Sequence, residues 1–293
     1  MVSPADLAAE TTLAEAVNAY RVALGERLVA AYAIGSLAHG GFSPLVSDID
    51  LGLIISDPLL ARDGRLIQIV ADAEKAKGSE LGQRLSVFWG TRSTLRRERE
   101  GGRFPALDRL DLLEHGRLLI GREVRGGLSR PSRSELIVGG AEFAIAYLAG
   151  VRGEGNRPGQ VLGSLRPAGE DAVEEIRRPE MLLARGVRRV TKLALFPVRF
   201  LFTAATGQVG TNDAAVAHHL EQRGAPASAL VAAALSWRTA PPIDQRAAAE
   251  LLRGQVVALY IYYIDDHITR LDSLGQPQLA CAFEAWRKRL AGP

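Results

Sequence analysis

The chain has 293 residues, enough for one large domain or two of ordinary size with a sizeable buried core. Hydrophobic residues make up 47% of it and charged residues 24%, a globular composition that excludes wholesale disorder. Its 36 basic and 33 acidic side chains leave a formal charge of +3, which is too small for wrapping nucleic acid but compatible with a local anion pocket.

The sequence predicts a cytoplasmic protein without a membrane partner. A single cysteine, Cys281, excludes an intramolecular disulfide framework and a cysteine-based metal cluster. No apolar stretch reaches the roughly 20 residues that a membrane span requires. The first residues are acidic and lack the basic and apolar segments of a signal peptide.

Strand and helix patterns alternate through the first half of the chain. The predicted elements are, in chain order, helix 5–28, strand 29–34, strand 48–56, helix 59–80, strand 84–89, helix 105–116 and strand 117–124. This alternation predicts a small mixed-sheet α/β domain over residues 1–128.

Strand patterns stop after Pro131, and we expect a helical bundle over 129–293 that closes a cleft against the first domain. Its predicted helices cover 133–150, 171–206, 212–223, 226–237, 243–271 and 277–291. Residues 152–170 contain five glycines and two prolines without hydrophobic periodicity, which predicts either a surface loop or a mobile lid.

The segment between the first two strands carries the most informative motif. Gly35-Ser36 ends the first strand, and Ser47-Asp48-Ile49-Asp50 opens the second after a spacer of ten residues. Alternation along a strand points Asp48 and Asp50 to the same side. Two neighbouring carboxylates repel one another unless a cation lies between them, and Mg²⁺ uses one or two carboxylates plus substrate phosphate oxygens. Gly35 permits close backbone approach, so that Ser36 and the following turn can hold a phosphate.

Each part of this motif also has a purely structural explanation, as a strand cap or a loop. Together, the residues Ile34, Gly35-Ser36 and Asp48-Ile49-Asp50 resemble the signature of nucleotidyltransferases of the DNA polymerase β superfamily. The resemblance implies a small mixed α/β core followed by helices. It also implies transfer of a nucleoside monophosphate from an NTP, with ATP favoured, and release of pyrophosphate. Asp48 and Asp50 would bind Mg²⁺, two ions in all, while Gly35, Ser36 and Ser47 would contact phosphates.

Within that superfamily, the second half looks most similar to the aminoglycoside adenylyltransferases that modify streptomycin and spectinomycin. The similarity rests on 199–203, 206–207 and 213–215, and it covers 25–125 firmly but 190–240 only loosely. It implies that Arg199 contacts the triphosphate.

The residues around Arg199 give an independent argument for an anion. Lys192 and Arg199 lie two helical turns apart and are the only charges in an otherwise apolar segment. Buried cations need a counter-charge, which either a triphosphate or acidic side chains of neighbouring helices would supply.

The chain departs from the family pattern at the third carboxylate, which serves as metal ligand or general base. Ser86 stands at the position of the expected Glu, and a serine cannot accept a proton in that role at neutral pH. Asp108 or Asp111, which share a helix face, would be substitutes, although acidic residues also favour helix N-termini without any chemistry. Otherwise the acceptor is itself acidic and needs no strong base, or the protein binds nucleotide without turnover.

The sequence therefore predicts an Mg²⁺-dependent nucleotidyltransferase that moves AMP to a hydroxyl or phosphate of a small molecule, with an antibiotic among the acceptors. One alternative is transfer to a macromolecule such as tRNA, against which the weak net charge argues. The other is a non-catalytic nucleotide-binding regulator, which Ser86 suggests. The sequence leaves open the acceptor, the NTP and the oligomeric state.

Overall fold

A computed structural model describes residues 4–149, 151–153, 165–167 and 172–292 of the chain. Contacts within the chain divide it into two compact units, Met1–Pro131 and Ser132–Pro293. Among the helices of the described residues, none is long and apolar enough to cross a membrane.

The first unit alternates helices with the four strands of one sheet. Its elements are α1 (Pro4–Leu24), β1 (Leu28–Ile34), β2 (Ile49–Ile55), α2 (Ala61–Ala76), α3 (Glu80–Gln83), β3 (Leu85–Thr91), α4 (Arg92–Leu95), α5 (Ala106–His115) and β4 (Arg117–Gly121). The predicted strands are all present, and the short helices α3 and α4 were not predicted.

The sheet is mixed, with strand order β3-β2-β1-β4. Strand β1 pairs antiparallel with both β2 and β4, whereas β2 and β3 run parallel. The parallel pair is possible because α2 and α3 carry the chain from the end of β2 back to the start of β3.

Both faces of this sheet are covered by apolar residues. On one face, Ile49, Leu51, Leu53 and Ile55 of β2 belong to a core cluster that includes residues of α1 and α2. On the other, Tyr32, Ile34 and Ile54 pack with Leu95 of α4 and Leu112 of α5. Helix α5 is thereby fixed on the sheet face opposite α1.

The second unit is built from helices around a buried aromatic core. The helices are α6 (Arg133–Tyr147), α7 (Ala172–Arg177), α8 (Pro179–Ala184), α9 (Val187–Thr206), α10 (Asn212–Glu221), α11 (Ser228–Trp237), α12 (Gln245–Ser273) and α13 (Pro277–Ala291). Tyr260 and Tyr263 of α12 and Phe283 and Trp286 of α13 are almost fully buried, and the Tyr260 hydroxyl donates to the carbonyl of Leu193 on α9 at 2.9 Å. The predicted class, a mixed-sheet α/β unit followed by a helical bundle, is confirmed.

Two predictions about this half were wrong in detail. Strand β5 (Val151–Gly153) pairs antiparallel with β6 (Leu165–Pro167), where no strand was expected. The helix predicted at 171–206 is three helices, because Pro179 starts α8 and Gly186 precedes α9 with φ +89°. The loop or lid predicted at 152–170 falls largely outside the described residues.

Candidate active site at the β1–β2 edge

The turn that follows β1 depends on glycine at position 35. Gly35 begins a short 3₁₀ turn, Gly35–Leu37, and has φ +69°, which an L side chain adopts only with strain. A Cβ at this position would lie 2.3 Å from Oδ2 of Asp50, closer than atoms can approach. The backbone of Gly35 therefore forms the wall against which the Asp50 carboxylate packs.

Asp48 and Asp50 are carried to this turn by the register of β2. Asp48 immediately precedes the strand, and Asp50 is paired with Ile34 of β1, the residue before Gly35. Ile49 and Leu51 are fully buried in the core, whereas both aspartates are half-buried. The hydrophobic face of β2 thus fixes which way the two carboxylates face.

Ser86 lies directly beside Asp50, because β2 and β3 pair in parallel with these two residues as partners. Paired residues of neighbouring strands project to the same face of a sheet. The neighbour of Asp50 on β3 is therefore a hydroxyl and not a third carboxylate.

Besides Asp50, a carboxylate of α5 also reaches the Gly35 turn. Oδ2 of Asp111 accepts a hydrogen bond from the Gly35 amide at 2.5 Å, and Asp111 is only 9% exposed. With standard backbone dimensions, the oxygens of Asp111 and Asp50 that flank Gly35 are no more than about 7 Å apart. Asp108, one turn earlier on α5, is half-buried, and its predicted role stays untested.

A pair of histidines adjoins the same turn. The rings of His39 and His115 meet edge to face, with centroids 5.5 Å apart. His115 ends α5 one helical turn after Asp111, so the helix approaches the turn at two successive points on one face. His115 is not among the predicted site residues, although its spacing of four from Asp111 on a predicted helix places the two on one face.

Ser47 forms hydrogen bonds within its own loop. Its hydroxyl accepts from the amide of Ser43 at 3.0 Å, and the Ser47 amide donates to the Ser43 carbonyl at 2.9 Å. Both serines are buried, with exposures of 7% for Ser47 and 1% for Ser43. Ser47 thereby fixes the chain just before Asp48, and its predicted contact with phosphate stays a prediction.

In the second unit, Lys192 and Arg199 lie on α9 and are half-buried. Nε of Arg199 donates to the carbonyl of Gly210 at 2.5 Å, and its guanidinium carbon lies 5.5 Å from the centroid of the Phe196 ring. These contacts orient the Arg199 guanidinium, because a planar group that is hydrogen-bonded to a carbonyl through Nε loses much of its rotational freedom.

Arg238 is a further cation near Arg199 and is not among the predicted site residues. It follows α11 and is 7% exposed. Burial lowers the pKa of Arg238, and nearby Arg199 lowers it further, whereas Asp213 opposes the shift. Only the packing of α9, α10 and α11 brings these charges together, so no sequence spacing could have indicated the group.

Asp48 and Asp50 are the candidate metal ligands at the β1–β2 edge. Over the described part of the chain, no group of three or more His, Cys, Asp or Glu side chains is arranged to hold a metal ion. Asp48 and Asp50 supply two hard oxygen donors, and Mg²⁺ typically combines one or two carboxylates with phosphate oxygens of its substrate. The donor set therefore fits Mg²⁺ bound together with a nucleotide.

Comparison with known proteins finds similarity among solved structures but not among sequences. No protein-family model matches the sequence, and no curated protein sequence matches it significantly. Among solved structures, the chain is similar to spectinomycin adenyltransferase AAD(9) from Enterococcus faecialis, whose crystal structure contains ATP and spectinomycin. The sequences are 14% identical, the TM-score is 0.49, and the match covers 84% of this chain and 98% of the other.

Proposed function

We propose that the protein is an Mg²⁺-dependent nucleotidyltransferase that moves AMP from ATP to a hydroxyl or phosphate of a small-molecule acceptor. The observation that carries the proposal is the contact between the Gly35 turn and the Asp50 carboxylate, where a Cβ would lie 2.3 Å from Oδ2. A left-handed glycine at this acidic strand edge lets the turn that carries Ser36 approach the carboxylate oxygens that would bind the metal.

Asp48 and Asp50 would hold Mg²⁺, and Ser36 would receive phosphate oxygens. The metal, when bound, would stabilise the negative charge on the oxygens of the α-phosphate and of the departing pyrophosphate. The residues of the chain position the nucleotide, and the buried residues Ile49 and Leu51 keep both carboxylates on one side of β2.

Lys192 and Arg199 are proposed to contact the triphosphate. Arg199 is the better supported of the two, because its bond to Gly210 and its position over Phe196 hold the guanidinium in place. A pre-oriented guanidinium binds two phosphate oxygens without paying the full cost of ordering its side chain.

Ser86 limits the acceptors that the proposed site can serve. A hydroxyl acceptor needs a proton acceptor in the transition state, and a serine beside Asp50 does not provide one at neutral pH. A phosphate acceptor is already ionised and needs none. Ser86 also favours a second candidate function, a regulator that binds nucleotide without turnover.

Incubation with ATP labelled either at the α- or at the γ-phosphate, with Mg²⁺ and a panel of acceptors, separates these functions. The panel contains aminocyclitol and aminoglycoside antibiotics, sugar phosphates and bulk tRNA. The proposal expects α-label on a small molecule and γ-label in pyrophosphate. Label on tRNA supports the macromolecular alternative, and binding without pyrophosphate release supports the regulator. Transfer of the γ-label to an acceptor would contradict all three.

A further inference from the structure

Both backbone polar groups of Gly35 form hydrogen bonds within the protein. Its amide donates to Asp111 at 2.5 Å, and its carbonyl accepts from the amides of Ala38 and His39 at 3.0 and 3.2 Å. The amide of Gly35 is therefore committed to Asp111, so phosphate contacts in this turn must come from other groups.

Helix α5 contacts the Gly35 turn through two side chains that lie one helical turn apart. Asp111 reaches Gly35, and one helical turn later His115 meets the ring of His39, four residues after Gly35. Leu110 and Leu112, on either side of Asp111, have 0% exposure and anchor the helix in the core. The carboxylate of Asp111 is thus fixed by the packing of α5 and fixes the turn in its place.

We propose that Asp111 is a positioning residue, which holds the Gly35 peptide and through it the carboxylate of Asp50, and that it does not replace the missing third carboxylate as base or metal ligand. This inference rests on the proposed function for its catalytic consequence. The bond to a backbone amide needs an acceptor oxygen, and a charge strengthens it but is not essential to it. A base or metal ligand, in contrast, needs the ionised carboxylate itself.

The two roles are separated by Asp111→Asn and Asp111→Ala. The asparagine retains an oxygen that accepts from Gly35, whereas alanine leaves the amide without its acceptor. We expect Asp111→Asn to keep the turnover number within about fivefold of wild type. Asp111→Ala should lose roughly 100-fold, the effect of a shift of about 1 Å in a catalytic group. Equal, severe losses in both variants would overturn the proposal.

A second measurement needs no activity. In protein labelled with ¹⁵N-glycine, the Gly35 amide signal is identified by its loss in Gly35→Ala, and its exchange with solvent is measured. We expect slow exchange in wild type and Asp111→Asn, and at least tenfold faster exchange in Asp111→Ala. Unchanged exchange in Asp111→Ala would overturn the proposal. Absence of turnover in wild type would count against the proposed function alone, since exchange still reports the bond.

Asp63→Ala is the matched control for damage to the fold. Asp63 of α2 is also a buried aspartate that accepts from a backbone amide, that of Leu60 at 2.8 Å, but it bonds Arg27 beyond the far end of β2. This variant should lose stability without faster exchange at Gly35. Faster exchange there would show that the effect of Asp111→Ala is general loosening, and would also overturn the proposal.

Discussion

Replacing Gly35 by alanine should disable the site while leaving the protein folded, and Gly40→Ala provides a control on the same loop. Both glycines have positive φ, +69° and +82°. The left-handed backbone therefore destabilises the folded state of each alanine variant by about 1–2 kcal/mol. Alanine also lowers the conformational entropy of the unfolded chain, which offsets about 0.4–1 kcal/mol of this destabilisation. Each variant should therefore lose about 1 kcal/mol of unfolding free energy.

The two variants differ in what the new methyl group meets. At position 40 nothing lies within 4 Å, whereas at position 35 the Cβ would be 2.3 Å from Asp50 Oδ2. That oxygen ends a rotatable side chain, so the clash is relieved cheaply by turning the Asp50 carboxylate away by about 1 Å. A displacement of this size costs roughly 100-fold in rate.

The assay is initial-rate AMP transfer, together with urea unfolding of both variants. We expect similar midpoints for the two proteins, a rate near wild type for Gly40→Ala and a loss of roughly 100-fold for Gly35→Ala. If Gly35→Ala transfers AMP within a few-fold of Gly40→Ala, the contact with Asp50 has no catalytic meaning.

Three further predictions concern phosphate binding, loop stability and pH. Arg199→Gln should raise the KM for ATP about 10-fold or more, because a charge-assisted hydrogen bond to phosphate is lost. Arg246, whose side chain is 89% exposed, provides the control, and Arg246→Gln should leave the KM unchanged. Equal KM values for the two variants would exclude Arg199 from the nucleotide site. Ser47→Ala removes the acceptor of the buried Ser43 amide and should lower the unfolding free energy by about 1 kcal/mol in urea titrations; an unchanged midpoint would contradict this. Burial lowers the pKa of His267, so the unfolded state takes up a proton first and stability should fall as the pH drops below about 6.5. His267→Leu should weaken this dependence, and a pH profile identical to wild type would refute it.

The elements of the first unit could be predicted because its strands and helices carry complete hydrophobic periods. Strands β1 and β2 each bury most of their residues, and the alternation of Ile49 and Leu51 with the aspartates fixed the acidic side of β2. Strands β5 and β6 have three residues each, too few for any period to show. The helix predicted over 171–206 was too long because the apolar pattern outweighed the proline and glycine that interrupt it.

The residues around the site were predictable only where they share a strand or a turn. Gly35, Ser36, Asp48 and Asp50 lie in one short stretch of chain, so their spacing alone suggested a phosphate and metal site. The bond from Gly35 to Asp111 joins residues 76 positions apart, and it depends on how α5 packs against Tyr32 and Ile34. Local sequence patterns do not predict a hydrogen bond between residues so far apart in the chain.

The central claim is that the Gly35 turn and the acidic edge of β2 form a site for Mg²⁺ and a nucleotide. Calorimetric titration with α,β-methylene-ATP, which cannot donate AMP, tests it on wild type, Asp48→Asn and Asp50→Asn. Both variants must first match wild type in circular dichroism, which shows that the fold is kept. We predict binding to wild type that requires Mg²⁺ and is lost in both variants. Equal affinity in EDTA, or full affinity in Asp50→Asn, would contradict the claim.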